Sequence, residues 1–110
     1  MDLNLSKSYS FLKNIPKESK EEVFETIINN ENIKIERIVS YGQKSAENFW
    51  YDQEKDEFVL LIDGDATIEY DDGSLFKLSK GDSIYIDAHQ KHKVTHTSNP
   101  AVWLAVFIVK

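Results

Sequence analysis

From residue 33 onward the chain repeats one pattern: short apolar stretches broken by turn-forming residues at roughly ten-residue intervals. IKIERIVS (33–40) alternates apolar and polar positions, the period-two signature of a half-buried strand. EFVLLID (57–63) is almost continuously apolar, and Asp63-Gly64 after it signals a tight hairpin into ATIEY (66–70). Asp71-Asp72-Gly73 marks a turn before SLFKLS (74–79), and Lys80-Gly81-Asp82 marks another before SIYID (83–87). KVTHT (93–97) and AVWLAVFIVK (101–110) complete the series, separated by Ser98-Asn99-Pro100. Strands this short and evenly spaced predict an all-β sandwich or barrel.

The first third differs. PKESKEEVFETIINN, from Pro16, predicts one short helix: proline suits its first turn and acids cluster early, where the helix dipole favours them. Val23, Phe24, Ile27 and Ile28 form a stripe at helical spacing, expected to pack on the barrel's outer surface, with Asn29 and Asn30 as a left-handed cap. Leu3, Leu5, Phe11, Leu12 and Ile15 are available for packing. The expected organisation is a single structural domain, with an extension and helix over 1–32 and a barrel over 33–110. AVWLAVFIV has no polar alternate, so both of its faces need cover. It is either a central strand or a dimer-contact strand, and a homodimer is the expectation.

Composition narrows the function. At 110 residues the chain makes one domain with a real core. It has no cysteine, which excludes disulfides, thiolate metal sites and cysteine nucleophiles. The formal charge is −6 and Arg37 is the only arginine, so nucleic acid is not an expected partner. No apolar stretch is long enough to span a membrane, and MDLNLSKSYSF has no signal-peptide core, so a cytoplasmic protein is expected.

All three histidines, His89, His92 and His96, fall within DAHQKHKVTHTS (87–98). They are either a ligand cluster or the incidental histidines of a strand. Residues 42–97 also carry the spacing of two known motifs, one reading G…H-x-H, three or four residues, E, six residues, G, and the other G, five residues, P-x-G-x-x-H-x-x-x-N. Glu57 is followed after six residues by Gly64, and counting back from Glu57 puts the two histidine positions at Trp50 and Asp52 in FWYDQEKDE. Gly81 starts the second motif, Asp87 stands at its proline, His89 at its second glycine, His92 at its histidine and His96 at its asparagine.

On these residues the chain resembles the cupins, small jelly-roll barrels, and among them short bacterial members with WYDQ in the first motif. The resemblance implies an all-β cupin barrel, here with a short N-terminal helix, and no single activity, since cupins include dioxygenases, isomerases, lyases, storage proteins and sugar-sensing domains. It places the faces bearing Trp50, Asp52, His92 and His96 in the barrel interior, with His89 at the mouth. A divalent transition metal (Zn, Fe, Mn or Ni) would then draw on Asp52, Glu57 and His92 first, with His89, His96 and Gln53 completing the shell.

The plainer reading of each residue stands beside this one. Strand histidines are often only hydrogen-bonded to a neighbour. Arg37 shares a face with Ile33, Ile35 and Val39; its buried charge needs a partner, either an internal carboxylate such as Glu57 or Asp52, or an anionic ligand. Trp50 and Tyr85 are core aromatics or the walls of a pocket for a flat or sugar-like ligand, with Gln53 beside them. Three functions follow: a metal-containing enzyme for a small organic molecule, a non-enzymatic small-molecule-binding or sensing domain without metal, or a structural module with a filled barrel.

Overall fold

Side-chain alternation arranges eight strands into two antiparallel sheets in the computed structural model, which describes residues 8–109. They are β1 (Val23–Asn29), β2 (Ile33–Ser40), β3 (Asp56–Asp63), β4 (Asp65–Tyr70), β5 (Leu75–Ser79), β6 (Ser83–Ile86), β7 (His92–Thr97) and β8 (Ala101–Ile108). The larger sheet runs β1-β2-β8-β3-β6 and the smaller β5-β4-β7. Their apolar faces meet around Val59, Leu61, Ala66, Ile68, Leu78, Ala101 and Trp103. The all-β sandwich or barrel expected from strand spacing is therefore present, in the jelly-roll form that the resemblance implies. Leu3 and Leu5, expected to pack on it, lie outside the described residues.

Register assigns each side chain to a face. Ile38 and Leu61 both pair with Trp103, Glu36 and Val59 with Ala105, and Glu57 with Phe107. Directly paired residues project from the same side of a sheet, so these seven and Phe107 face inward. Arg37, Val39 and Val102 face outward. β8 lies centrally, between β2 and β3, which accounts for its unbroken apolar run. Val39 and Val102 have no exposure within a single chain, whereas Leu104, Val106, Phe107 and Ile108 of β8 are half-buried.

The expected helix is absent: residues 23–29 form β1, paired antiparallel to β2. The boundary expected after residue 32 thus falls inside one sheet. VFETIIN is rich in β-branched residues, which suit a strand. Its register shifts between Thr26 and Ile28, so the period-two alternation is interrupted and the apolar positions imitate helical spacing. The stripe is correspondingly split: Ile27 is buried, whereas Phe24 is 58% exposed.

Asp63-Gly64 is not a hairpin turn. β3 belongs to the larger sheet and β4 to the smaller, so this turn carries the chain from one to the other. Asp71-Asp72-Gly73 does close a hairpin, between β4 and β5. Both glycines have left-handed backbone, with φ of 93° at Gly64 and 91° at Gly73. A Cβ at Gly64 would lie 2.3 Å from Ser98 Oγ and 2.8 Å from the Pro100 carbonyl oxygen, whereas one at Gly73 meets nothing within 4 Å. Gly64→Ala is expected to cost about 3 kcal/mol and Gly73→Ala about 1 kcal/mol, the difference being the clash. Urea titration checks this; equal costs would mean that only the backbone angle matters.

Candidate functional site

The two sheets enclose a cavity of about 140 Å³. Ile38, Val59, Ile68, Ile86, Val94 and Trp103 form most of its apolar wall. Phe24 lines it while remaining largely exposed, and so marks the mouth. The polar side chains reaching it are Glu22, Tyr51, Gln53, Glu57 and His92.

Each is positioned by its backbone. Glu57 points inward from β3, opposite Phe107. His92 opens β7, and its backbone exchanges two hydrogen bonds with Tyr51, at 2.7 and 3.1 Å. That pairing stacks the phenol on the imidazole, with centroids 5.5 Å apart. Gln53 is anchored by its carbonyl, which accepts a hydrogen bond from the backbone N–H of His89 at 2.7 Å.

The chemistry follows from burial. His92 Nδ1 lies 2.8 Å from the Gln90 carbonyl oxygen. A carbonyl only accepts, so Nδ1 carries the proton and Nε2 presents a lone pair. Burial lowers the His92 pKa, against a smaller upward push from that hydrogen bond. Nε2 faces Glu57 Oε1 at 3.9 Å, within ion-pair range but beyond hydrogen-bond reach. Burial also raises Glu57, from 4.5 to about 7; the nearby Glu36 charge adds to this, and a hydrogen bond from Gln53 opposes it. The two shifts run opposite to those of an ion pair. The site holds a neutral imidazole beside a carboxyl that titrates near neutrality. Because the Gln53 amide donates to Glu57, its Oε1 is left as a buried acceptor without a partner. Burial also raises the Tyr51 phenol, with further contributions from Glu22 and Glu57.

Of the expected site residues, Glu57, His92 and Gln53 meet at the cavity; the others do not. Asp52 and His89 are both exposed and pair with each other, Nδ1 to Oδ1 at 2.8 Å. His96 is exposed and pairs with Asp65 at 2.6 Å. Trp50 lies outside the cavity with the Lys93 ammonium over its ring, 4.4 Å from the centroid. Tyr85 is 49% exposed and donates its hydroxyl to Asp56. Arg37 is buried on the outward face, where it donates to the carbonyls of Phe11, Lys13 and Asn14 and pairs with Glu25 at 3.3 Å.

The first-motif error is one residue. With three residues rather than four before Glu57, the two histidine positions fall on Tyr51 and Gln53, which do line the cavity. Side chains alternate, so a slip of one exchanges the inner set for the outer. His89 explains itself through its backbone: its φ is 65°, and it occupies the second glycine of its motif.

Glu22 was not anticipated. Ser40 Oγ donates to Glu22 Oε2 at 2.6 Å and accepts from Trp103 Nε1 at 3.1 Å. This chain aims a carboxylate into the cavity from a segment expected to be the acidic first turn of a helix. Its signal was the proximity of EEVF to a strand rather than a helix, which period alone does not reveal.

The donor set does not suit the divalent metal expected of such a barrel. His92 and Glu57 are the two ionisable ligands of the expected set that face the cavity, and no cluster of three His, Cys, Asp or Glu suited to a metal occurs among the described residues. Gln53 and Tyr51 stand in place of two imidazoles, an amide oxygen and a neutral phenol being poorer ligands for transition metals. The double variant Tyr51→His plus Gln53→His is therefore expected to bind Zn(II) or Ni(II) at least about a hundredfold more tightly than the wild type. Isothermal titration after chelator stripping measures this, and equal affinities would disprove the assignment of those two positions.

Glu57 also predicts a pH dependence. Between its unfolded and folded pKa values the folded chain holds a proton that the unfolded chain has released. The stability this provides is full below about pH 4.5 and is lost as pH rises through about 7. Glu57→Gln cannot ionise, so its stability relative to the wild type should rise between about pH 5 and about pH 8, by up to about 3 kcal/mol. Urea titration at both pH values checks this; a constant difference would contradict a raised pKa.

Comparison with known proteins agrees with this architecture. The Cupin domain family matches residues 37–107. A Ralstonia eutropha JMP134 structure described as a candidate mannose-6-phosphate isomerase is 34% identical, with a TM-score of 0.90 over 94% of this chain and 98% of that one. A Streptococcus pyogenes protein of unknown function shares 17% identity, with a TM-score of 0.78 over 96% of this chain and 89% of that one. A cupin superfamily protein from Desulfitobacterium hafniense DCB-2 shares 15%, with a TM-score of 0.75 over 87% and 84%. Comparison with proteins of curated function finds no match. With both sheets, the spacing from Glu57 to Gly64 and His92 accounted for, and most of the chain matched, this protein belongs to the cupin family.

Proposed function

We propose that this chain is a small-molecule-binding cupin whose ligand occupies the barrel interior and is oriented by Glu57, His92 and Gln53, without a metal. The observation that carries this reading is the apolar cavity of about 140 Å³ into which a few buried polar atoms converge. Binding sites have this character: hydrophobic walls for affinity and a small number of placed polar groups for orientation. A cavity of about 150 Å³ holds a molecule of benzene's size, which sets the scale of the ligand. The likeness to the Ralstonia protein raises a phosphorylated hexose as an alternative. The lining residues favour something smaller and not anionic, because they include two carboxylates and neither lysine nor arginine. A neutral imidazole beside a carboxyl titrating near neutrality also provides a proton acceptor and donor at one place, the pairing that general acid–base chemistry uses.

The test is a thermal-shift screen of small organic fragments against the wild type and Val94→Phe, which fills the cavity. A true ligand at a hundredfold excess over its Kd stabilises by about 2.7 kcal/mol, or several degrees in Tm for a domain of this size. The shift should appear in the wild type and vanish in a folded Val94→Phe. A fragment set that shifts neither protein, or both equally, would contradict binding in the barrel.

A further inference from the structure

Apart from the Tyr51 hydroxyl, the polar atoms that the cavity leaves open are acceptors. His92 is 5% exposed, and its Nε2 lone pair faces the cavity with Glu57 Oε1 at 3.9 Å, too far for a hydrogen bond. Gln53 Oε1 is buried without a partner. Glu57 is 7% exposed and brings a carboxyl to the same place. The Glu22 carboxylate, aimed inward by Ser40, adds negative charge nearer the mouth. A buried acceptor lacking a donor is costly; His92 Nε2 and Gln53 Oε1 lack one, Glu57 keeps lone pairs beyond the one that Gln53 fills, and together they call for a ligand rich in donors.

Charge and shape narrow that ligand. Lys34 and Lys55 line a neighbouring pocket that shares Gln53 and Phe107 with the cavity; Lys34 is held by Glu36 at 3.2 Å, and neither lysine is among the residues lining the cavity itself. No lysine or arginine inside the cavity therefore compensates its carboxyls. An ammonium group presents three N–H donors and no acceptor, the complement of this lining. Trp103 adds an aromatic ring to the lining, and ring faces attract cations. The remaining wall is aliphatic and sized for a compact hydrocarbon body.

We propose that the cavity binds a small organic ammonium ion, whose single –NH₃⁺ donates to His92 Nε2, Gln53 Oε1 and Glu57 while its hydrocarbon body packs against Ile68, Val94 and Trp103. This deepens the small-molecule reading and rests on it. Bound this way, every open acceptor gains a donor and the buried carboxyl gains a counter-charge.

Isothermal titration near neutral pH with cyclopentylammonium, cyclopentanol and cyclopentanecarboxylate separates the possibilities. The ammonium should bind at least about tenfold more tightly than the alcohol, and the carboxylate more weakly than either. Gln53→Leu should weaken the ammonium about tenfold and the alcohol less than about threefold. Glu22→Gln, at a half-buried position and therefore milder for folding, should weaken the ammonium alone, by about threefold. Equal or tighter binding of the alcohol would overturn the ammonium proposal and leave small-molecule binding intact. Binding of none of the three, together with a silent fragment screen, would remove both. Zn(II) that binds the stripped wild type at micromolar Kd and displaces the ammonium would overturn the proposal by assigning the acceptors to a metal.

Discussion

A carboxyl group sits on the inward face of a central sheet, and the interior around it is arranged by that cost. Glu57 shares its face with Val59, Leu61, Trp103 and Phe107, where an ionised group is heavily penalised. Gln53 donates to it, His92 stands opposite as a neutral base, and the carboxyl titrates near neutrality rather than as a permanent anion. Apolar side chains alone would have closed the barrel. One inward carboxyl keeps a polar centre open between the sheets and gives the cavity its chemistry.

Arg37 solves the corresponding problem on the other face. The two terminal nitrogens of a buried guanidinium there are held by backbone carbonyls of Phe11, Lys13 and Asn14 and by Glu25, while its Nε is buried without a partner. The same segment is fastened further along, where the Tyr41 hydroxyl donates to the Pro16 carbonyl and Gln43 donates to those of Ser19 and Lys20. This strap crosses the outside of the larger sheet and then turns inward at Glu22. The protein therefore uses its one arginine to hold chain against sheet, and the cavity is left without a cation of that kind.

The strands after residue 33 were legible because alternation and turn residues agree there, and Glu57, Gly64 and His92 were legible because spacing is preserved within strands. Three features were hidden for physical reasons. β1 carries a register shift that makes strand spacing look helical. The Asp63-Gly64 turn has hairpin chemistry, yet its two flanking strands belong to different sheets, and local sequence does not encode sheet membership. Tyr51 and Gln53 lie outside β3, where a count extended from the strand slips by one and selects Trp50 and Asp52 from the opposite face. The histidines show the limit of proximity in sequence: His89, His92 and His96 end in three places, two of them at surface carboxylates.

The hydrogen-bonded chain from Trp103 through Ser40 to Glu22 has an optical consequence. The indole lines the cavity and is only 5% exposed, while its N–H is tied to a carboxylate at the opening. Whatever fills the interior displaces the medium around that ring and perturbs the dipoles bonded to it. The second tryptophan, Trp50, sits apart beneath Lys93. The emission spectrum thus contains one fluorophore that reports on the occupied or vacant barrel and another that serves as its internal reference.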